Sequence, residues 1–179
     1  MNRITAYIRQ SLQDIYPPEE VKALSMLICC DMLGVDALDI YMGKDIILSA
    51  CKQRELENII FRLQKNEPIQ YIRGYAEFCG RNFRVAPGVL IPRPETAELV
   101  DLIVKENPDA RRLLDIGTGS GCIAISLDKN LPDAKVDAWD ISEEALAIAR
   151  KNNEELDAQV TFRRQDVFSA DGIQGHLTI

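Results

Sequence analysis

Histidine is almost absent: the single one, His176, has neither a cysteine nor an acidic cluster around it, which leaves little basis for imidazole chemistry or a histidine-held metal. The five cysteines, Cys29, Cys30, Cys51, Cys79 and Cys122, form neither an even set nor a C-x-x-C pair. That pattern points to reduced, partly buried thiols rather than a disulfide framework or a zinc site. Basic charge is also short, with 21 Lys and Arg against 28 Asp and Glu and a net charge of -7. Sequence-independent grip on a phosphate backbone needs the opposite balance, while a basic protein partner stays open. No apolar run approaches the roughly 20 residues that span a bilayer, and the N-terminus lacks the order of a signal peptide, so the cytoplasm is the expected compartment. What is present, 46% hydrophobic and 27% charged residues over 179 positions, suits one full globular domain or a small domain with part of a larger one.

The first third reads as helical. Pro17-Pro18-Glu19-Glu20 places proline and acids where a first helical turn accepts them, and Gly34 stops the run. Val21, Leu24, Leu27 and Ile28 keep helical spacing, as do Leu56, Ile59, Ile60 and Leu63, with Pro68 closing the second stretch. Such stripes are bundle core. Between Tyr75 and Pro92 the pattern changes to two β-prone pieces, Phe83-Arg84-Val85 and Val89-Leu90-Ile91, around Ala86-Pro87-Gly88, which predicts a hairpin linker over residues 75–94. From Glu95 helices and strands alternate. A helix runs through Val104, then a strand Arg112–Ile116, a glycine-rich turn, a helix from Cys122, a strand Lys135–Asp140, a helix Glu143–Glu154 and a strand Val160–Arg163. This order predicts an α/β domain with a parallel sheet covered by helices, from residue 95 to 179, after a helical domain over residues 1–74. Gly175-His176-Leu177-Thr178-Ile179 reads as the start of a fourth strand, so the sheet is expected to be incomplete.

The sharpest chemical signal is Leu114-Asp115-Ile116-Gly117-Thr118-Gly119-Ser120-Gly121-Cys122, at the C-terminal end of the first strand of the alternating region. Glycines there permit a tight turn and a close approach of backbone to ligand beside a helix N-terminus. The dinucleotide fingerprint G-x-G-x-x-G needs glycine where this chain has Cys122, and does not call for Asp115, so a nicotinamide cofactor is disfavoured. Asp140 ends the next strand, where an acid can accept hydrogen bonds from both ribose hydroxyls. Its structural alternative is a helix cap, a role that Ser142 fills. Gln165-Asp166-Val167-Phe168 follows the third strand. There a carboxylate can take an adenine amino group while apolar neighbours line the ring, or Asp166 can simply form a surface turn.

The stretch Glu77-Phe78-Cys79-Gly80-Arg81-Asn82-Phe83-Arg84-Val85-Ala86-Pro87-Gly88-Val89-Leu90-Ile91-Pro92-Arg93-Pro94-Glu95-Thr96, followed by Asp-Ile-Gly-Thr-Gly-Ser-Gly, resembles the signature of the peptide-chain release factor N5-glutamine methyltransferases. Pro68-Ile69-Gln70-Tyr71-Ile72-Arg73-Gly74 is similar to the segment closing their helical domain. The resemblance implies a helical N-terminal domain that helps hold the release factor, then an incomplete Rossmann-like class I methyltransferase domain that binds S-adenosylmethionine. By the same resemblance, Gly117, Thr118, Gly119, Ser120 and Gly121 embrace the methionine end of the cofactor, Asp140 its ribose, and Asp166 with Val167 its adenine. Arg93, Glu95 and Thr96 lie near the mouth of the substrate site. The chain departs from the family at Ala97, where a second glutamate is frequent. The family's catalytic Asn-Pro-Pro-Tyr motif follows the fourth strand, so it is expected beyond Ile179, and residues 1–179 alone are expected to be inactive. Two other readings stay open: an adenine-N6 DNA methyltransferase, which the acidic charge disfavours, and a non-catalytic protein-binding fragment.

Overall fold

The structure is a computed structural model that describes residues 2–169. It divides into two compact units, Met1–Arg73 and Gly74–Ile179. The fourth-strand reading at residues 175–179 and His176 lie outside the described residues.

The first unit is helical. Helix α1, Arg3–Leu12, precedes the run expected at Pro17 and was not read from the sequence; the Ile4 N–H donates to the Asn2 side chain at its start, and Ile4, Ile8 and Leu12 are buried along one stripe. Helix α2, Pro18–Leu27, continues into a π-helical turn, Ile28–Met32, and stops at Gly34, whose φ of +63° turns the chain out of the helix. After the short α3, Ala37–Tyr41, helix α4, Ala50–Leu63, is capped by Ser49 and buries Leu56, Ile59, Ile60 and Leu63. Helix α5, Ile69–Arg73, begins after Pro68. Val21, Leu24 and Ile28 of the first stripe and all of the second thus enter one core with Ile8, Leu12 and Leu33, while Leu27 is only half-buried. The Tyr16 hydroxyl donates to the Leu63 carbonyl at 2.8 Å and ties the α1–α2 connection to the end of α4.

The second unit opens with a hairpin whose strands differ from those expected. Strands β1, Tyr75–Phe78, and β2, Arg81–Arg84, pair antiparallel across the two-residue turn Cys79-Gly80. Both turn residues have positive φ, +48° and +69°, the conformation whose twist matches flanking strands. Val89-Leu90-Ile91 is not a strand: Pro87 supplies no amide hydrogen, Val89 N–H closes a turn on Ala86, and Leu90 is 75% exposed. The hairpin is also more than a connection, because Phe78 and Phe83 sit edge to face at 6.0 Å within the core of this unit.

Then follow α6, Pro94–Glu106; β3, Arg112–Ile116; α7, Cys122–Asn130; β4, Lys135–Asp140; α8, Glu143–Glu155; and β5, Thr161–Arg164. The three strands are parallel in the order β3-β4-β5, with Ile116 beside Trp139 and Asp140 beside Arg164. Ala124, Ile125 and Leu127 of α7, Val136 and Ala138 of β4, and Val100 of α6 fill the core. The register brings the C-terminal ends of all three strands to one edge, the place where open α/β sheets take ligands.

Candidate functional site

At that edge β3 runs into the turn Gly117–Gly121. Gly117, Gly119 and Gly121 all have positive φ, which a side chain rarely adopts. They differ in what surrounds them. A Cβ at Gly117 or Gly119 would meet nothing within 4 Å, whereas one at Gly121 would stand 3.1 Å from Ile125 Cδ1 and 3.2 Å from Ala149 Cβ. The first two glycines leave backbone open to a ligand, and the third lets α7 pack closely.

The loop is held by polar groups. The amides of Gly117 and Thr118 both donate to the Trp139 carbonyl, at 2.8 and 3.0 Å. Thr118 Oγ1 donates to Asp115 Oδ2 at 2.7 Å, and the Ala124 amide also favours that carboxylate, which places an acid at the positive end of α7. Burial nevertheless raises the Asp115 pKa above the usual aspartate range, and the nearby charge of Asp140 adds to the effect. Burial pushes the Cys122 thiol up to about 11, so it stays protonated and is no nucleophile near neutral pH.

Asp140 is placed as expected, at the end of β4 facing the loop. Oδ2 accepts from the Gly119 amide at 2.9 Å and Oδ1 from the Ser142 amide at 2.9 Å. The cap of α8 is Ser142, whose Oγ accepts from the Ala145 amide, so Asp140 does not serve as that cap. Two of its roughly four lone-pair sites remain for other donors. Asp166 follows β5, and Oδ1 accepts from the Phe168 amide at 2.9 Å in a tight turn, as its structural reading anticipated. The turn holds Val167 at the same edge, and three apolar side chains stand out into solvent there: Ile141 at 62% exposure, Phe168 at 97% and Val167 at 41%. Ile141 was not singled out from the sequence. The signal was an apolar residue directly after the strand-ending acid.

Arg93 is the residue before α6, and Glu95 and Thr96 lie in its first turn behind Pro94. Among the described residues no hydrogen bond joins these three to the loop or to Asp140. A second omission is Asn152 of α8, 1% exposed, which bonds both to the Ser120 carbonyl and to the backbone of Arg84. A shallow cavity of about 670 Å³ lies elsewhere, at the start of β4 and β5 beside Lys135 and Thr161, away from every loop residue. Among the described residues no cluster of three or more metal-ligating side chains occurs, and no helix is long and apolar enough to cross a membrane.

The edge therefore offers exposed glycine backbone, an acceptor-only carboxylate fixed in orientation, and an apolar shelf. Those are the fittings for a ligand that carries hydroxyls beside a flat ring. Residues 4–74 match the PrmC N-terminal domain and residues 95–176 the Methyltransferase small domain. Release factor glutamine methyltransferases are similar along most of the chain: that of Flavobacterium psychrophilum is 38% identical over 95% of this chain and 61% of its own length. The chain matches the N-terminal part of the release factor glutamine methyltransferase family. Its relative from Koribacter versatilis is 50% identical over 77% of this chain and 50% of that protein, and the one from Streptococcus pneumoniae 49% over 64% and 41%. The chain thus spans about half the length of the curated family members it matches, on their N-terminal side. Among solved structures, the Pyrococcus abyssi tRNA (uracil-54, C5)-methyltransferase in complex with S-adenosyl-L-homocysteine is similar at 22% identity, with a TM-score of 0.44 over 51% of this chain and 23% of that one.

Proposed function

We propose that this chain carries the S-adenosylmethionine site of a protein that methylates the side-chain amide nitrogen of a glutamine in peptide-chain release factors. The observation that carries the reading is the convergence of Gly117–Gly121 and Asp140 at one sheet edge, with the Gly119 amide on the Asp140 carboxylate. The open backbone of Gly117 and Gly119, together with Thr118, Ser120 and Gly121, receives the amino-acid end of the cofactor. The free lone pairs of Asp140 accept the ribose hydroxyls, and Ile141, Val167 and Phe168 cover the adenine, whose amino group meets the remaining oxygen of Asp166. The cofactor supplies a methyl group on a positively charged sulfur. The names of the relatives support the release factor as acceptor, and we place Arg93, Glu95 and Thr96 near its point of approach. The helical unit, residues 1–74, holds the protein substrate, for which a cytoplasmic setting is the natural one. An amide nitrogen is a weak nucleophile, so the reaction needs it aimed and its hydrogens bonded, a task of orientation rather than of strong bases.

The test is Asp140→Ala in the full-length protein. Calorimetry should show S-adenosylhomocysteine binding weakened by roughly ten-fold or more, from the loss of charge-assisted hydrogen bonds. Unchanged affinity would remove the ribose assignment.

A further inference from the structure

The geometry points to Asn152 as a positioning residue that braces the cofactor loop against the hairpin. The inference rests on the reading of Gly117–Gly121 as a cofactor loop, and it assigns a role to a side chain in the middle of a helix that touches no ligand.

Its carboxamide is almost fully enclosed and makes three hydrogen bonds. Oδ1 accepts from the Arg84 amide at 2.7 Å, while Nδ2 donates to the Arg84 carbonyl at 3.1 Å and to the Ser120 carbonyl at 2.8 Å. The orientation of the amide follows from its partners, since a flipped group would set its N–H against an amide and its oxygen against two carbonyls. Arg84 lies opposite Tyr75, and the next residue, Val85, donates to the Gly74 carbonyl. In antiparallel pairing the bonded and non-bonded pairs alternate, so the N–H and C=O of Arg84 face outward on the free edge of β2. Asn152 receives both, as a residue of a third strand would, and uses its second amide hydrogen to hold Ser120. An ion pair between Arg84 Nε and Glu155, at 2.6 and 2.7 Å, adds a second fastening between β2 and α8.

Ser120 stands between Gly119 and Gly121, whose backbones carry no Cβ to limit them. Without a fixed carbonyl at Ser120, the loop is held at Gly117 and Thr118 by Trp139, at Gly119 by Asp140 and at Gly121 by the Thr118 carbonyl, with the Ser120 peptide free to tilt between them. Asn152 removes that freedom and sets it relative to β2, the strand that leads to Arg93 and Glu95. A carboxylate in its place has the same shape but no hydrogens to give, and would face the two carbonyls with a negative charge.

The experiment uses Asn152→Asp and Asn152→Ser in the full-length protein, with S-adenosylhomocysteine calorimetry and hydrogen exchange resolved to single amides. The brace predicts that Asn152→Asp weakens binding roughly ten-fold and speeds exchange at Gly119 and Gly121, while Arg84 keeps an acceptor for its amide and Val136 and Ala138 in β4 keep their protection. Asn152→Ser, which leaves room for a bridging water, should fall between it and the parent. Unchanged loop exchange in both variants would overturn the inference, as would equal loss of protection in loop and sheet or failure of both to fold, since Asn152 would then support the whole unit. A parent protein that fails to bind S-adenosylhomocysteine overturns the cofactor reading instead, and the exchange pattern still decides whether Asn152 braces the loop.

Discussion

The helical unit buries Ile8, Leu12, Ile28, Leu33, Leu56 and Leu63, and the polar residues it hides are Asn2, which caps its own helix and donates to the Lys44 carbonyl, and Ser25, bonded back to Val21 within α2. The sheet unit buries Thr118 and Asn152, whose side chains bond into a single loop, and Ser120 and Ser126, whose carbonyls rather than hydroxyls take side-chain hydrogen bonds. Apolar contact is non-directional, so an aliphatic core fixes how helices pack without fixing any one atom. Polar ties in a dry interior specify one arrangement, because each unpaired partner costs the full desolvation of its group. The first unit is built to be held together, the second to hold a particular backbone shape.

The largest effect should come from the apolar side of this contrast. Leu63→Ala removes a buried side chain from the α4 stripe and should cost about 2–5 kcal/mol, read as lost hydrogen-exchange protection in α1, α2 and α4. The single tryptophan, Trp139, lies in β4, so its fluorescence reports the sheet unit. Its urea transition should move less than the exchange of the helical unit. An equal shift would mean that the two units unfold as one, and the contrast would lose its meaning.

Next is Gly121→Ala. A methyl group there must adopt a φ of +80° while standing 3.2 Å from Ala149 Cβ, an atom that can yield only with its helix. Backbone strain of about 1–2 kcal/mol and a similar packing penalty should lower the Trp139 transition. Gly119→Ala has the first cost without the second, so a smaller shift at position 119 would separate close packing from conformation.

The smallest effect sharpens the electrostatic side. The folded pKa of Asp115 is raised, first by burial, so the native state binds its proton more tightly than the unfolded chain does. That group therefore costs stability as pH rises from the ordinary aspartate range through the raised value, and the loss persists above it. Asp115→Asn should gain on the parent in urea unfolding as pH rises above the ordinary aspartate range. A gain that shrinks with pH would show that the Thr118 hydroxyl and the α7 amides more than compensate the charge.

How much of this was legible follows the same division. Strand β3 and the start of α7 fall on the residues expected, because an apolar run ending in a glycine turn leaves few alternatives, and so does β4, which ends at the acid Asp140 just ahead of the helix cap Ser142. Ser142 was readable as a cap for the same local reason. Helix α1 carries its own signal, Asn2 ahead of Ile4, Ile8 and Leu12, but Pro17-Pro18 is the stronger mark of a helix start. The hairpin was displaced because Val89-Leu90-Ile91 has stronger β propensity than Tyr75–Phe78, while pairing was decided by a turn that accepts positive φ at Cys79 and Gly80. Asn152 shows the limit. An asparagine among the polar residues of an amphipathic helix reads as solvent-facing, and only the approach of β2 and the loop, 68 and 32 residues away, gives it partners.

The bond from the Gly119 amide to Asp140 also bears on timing. A free aspartate must give up rotamer freedom when it meets a ligand, and that loss is subtracted from affinity. Here two amides, one on each oxygen, have already stopped the carboxylate from turning. Folding has taken the entropy loss in advance, so a hydroxyl arriving at this edge finds its acceptor waiting in a single pose.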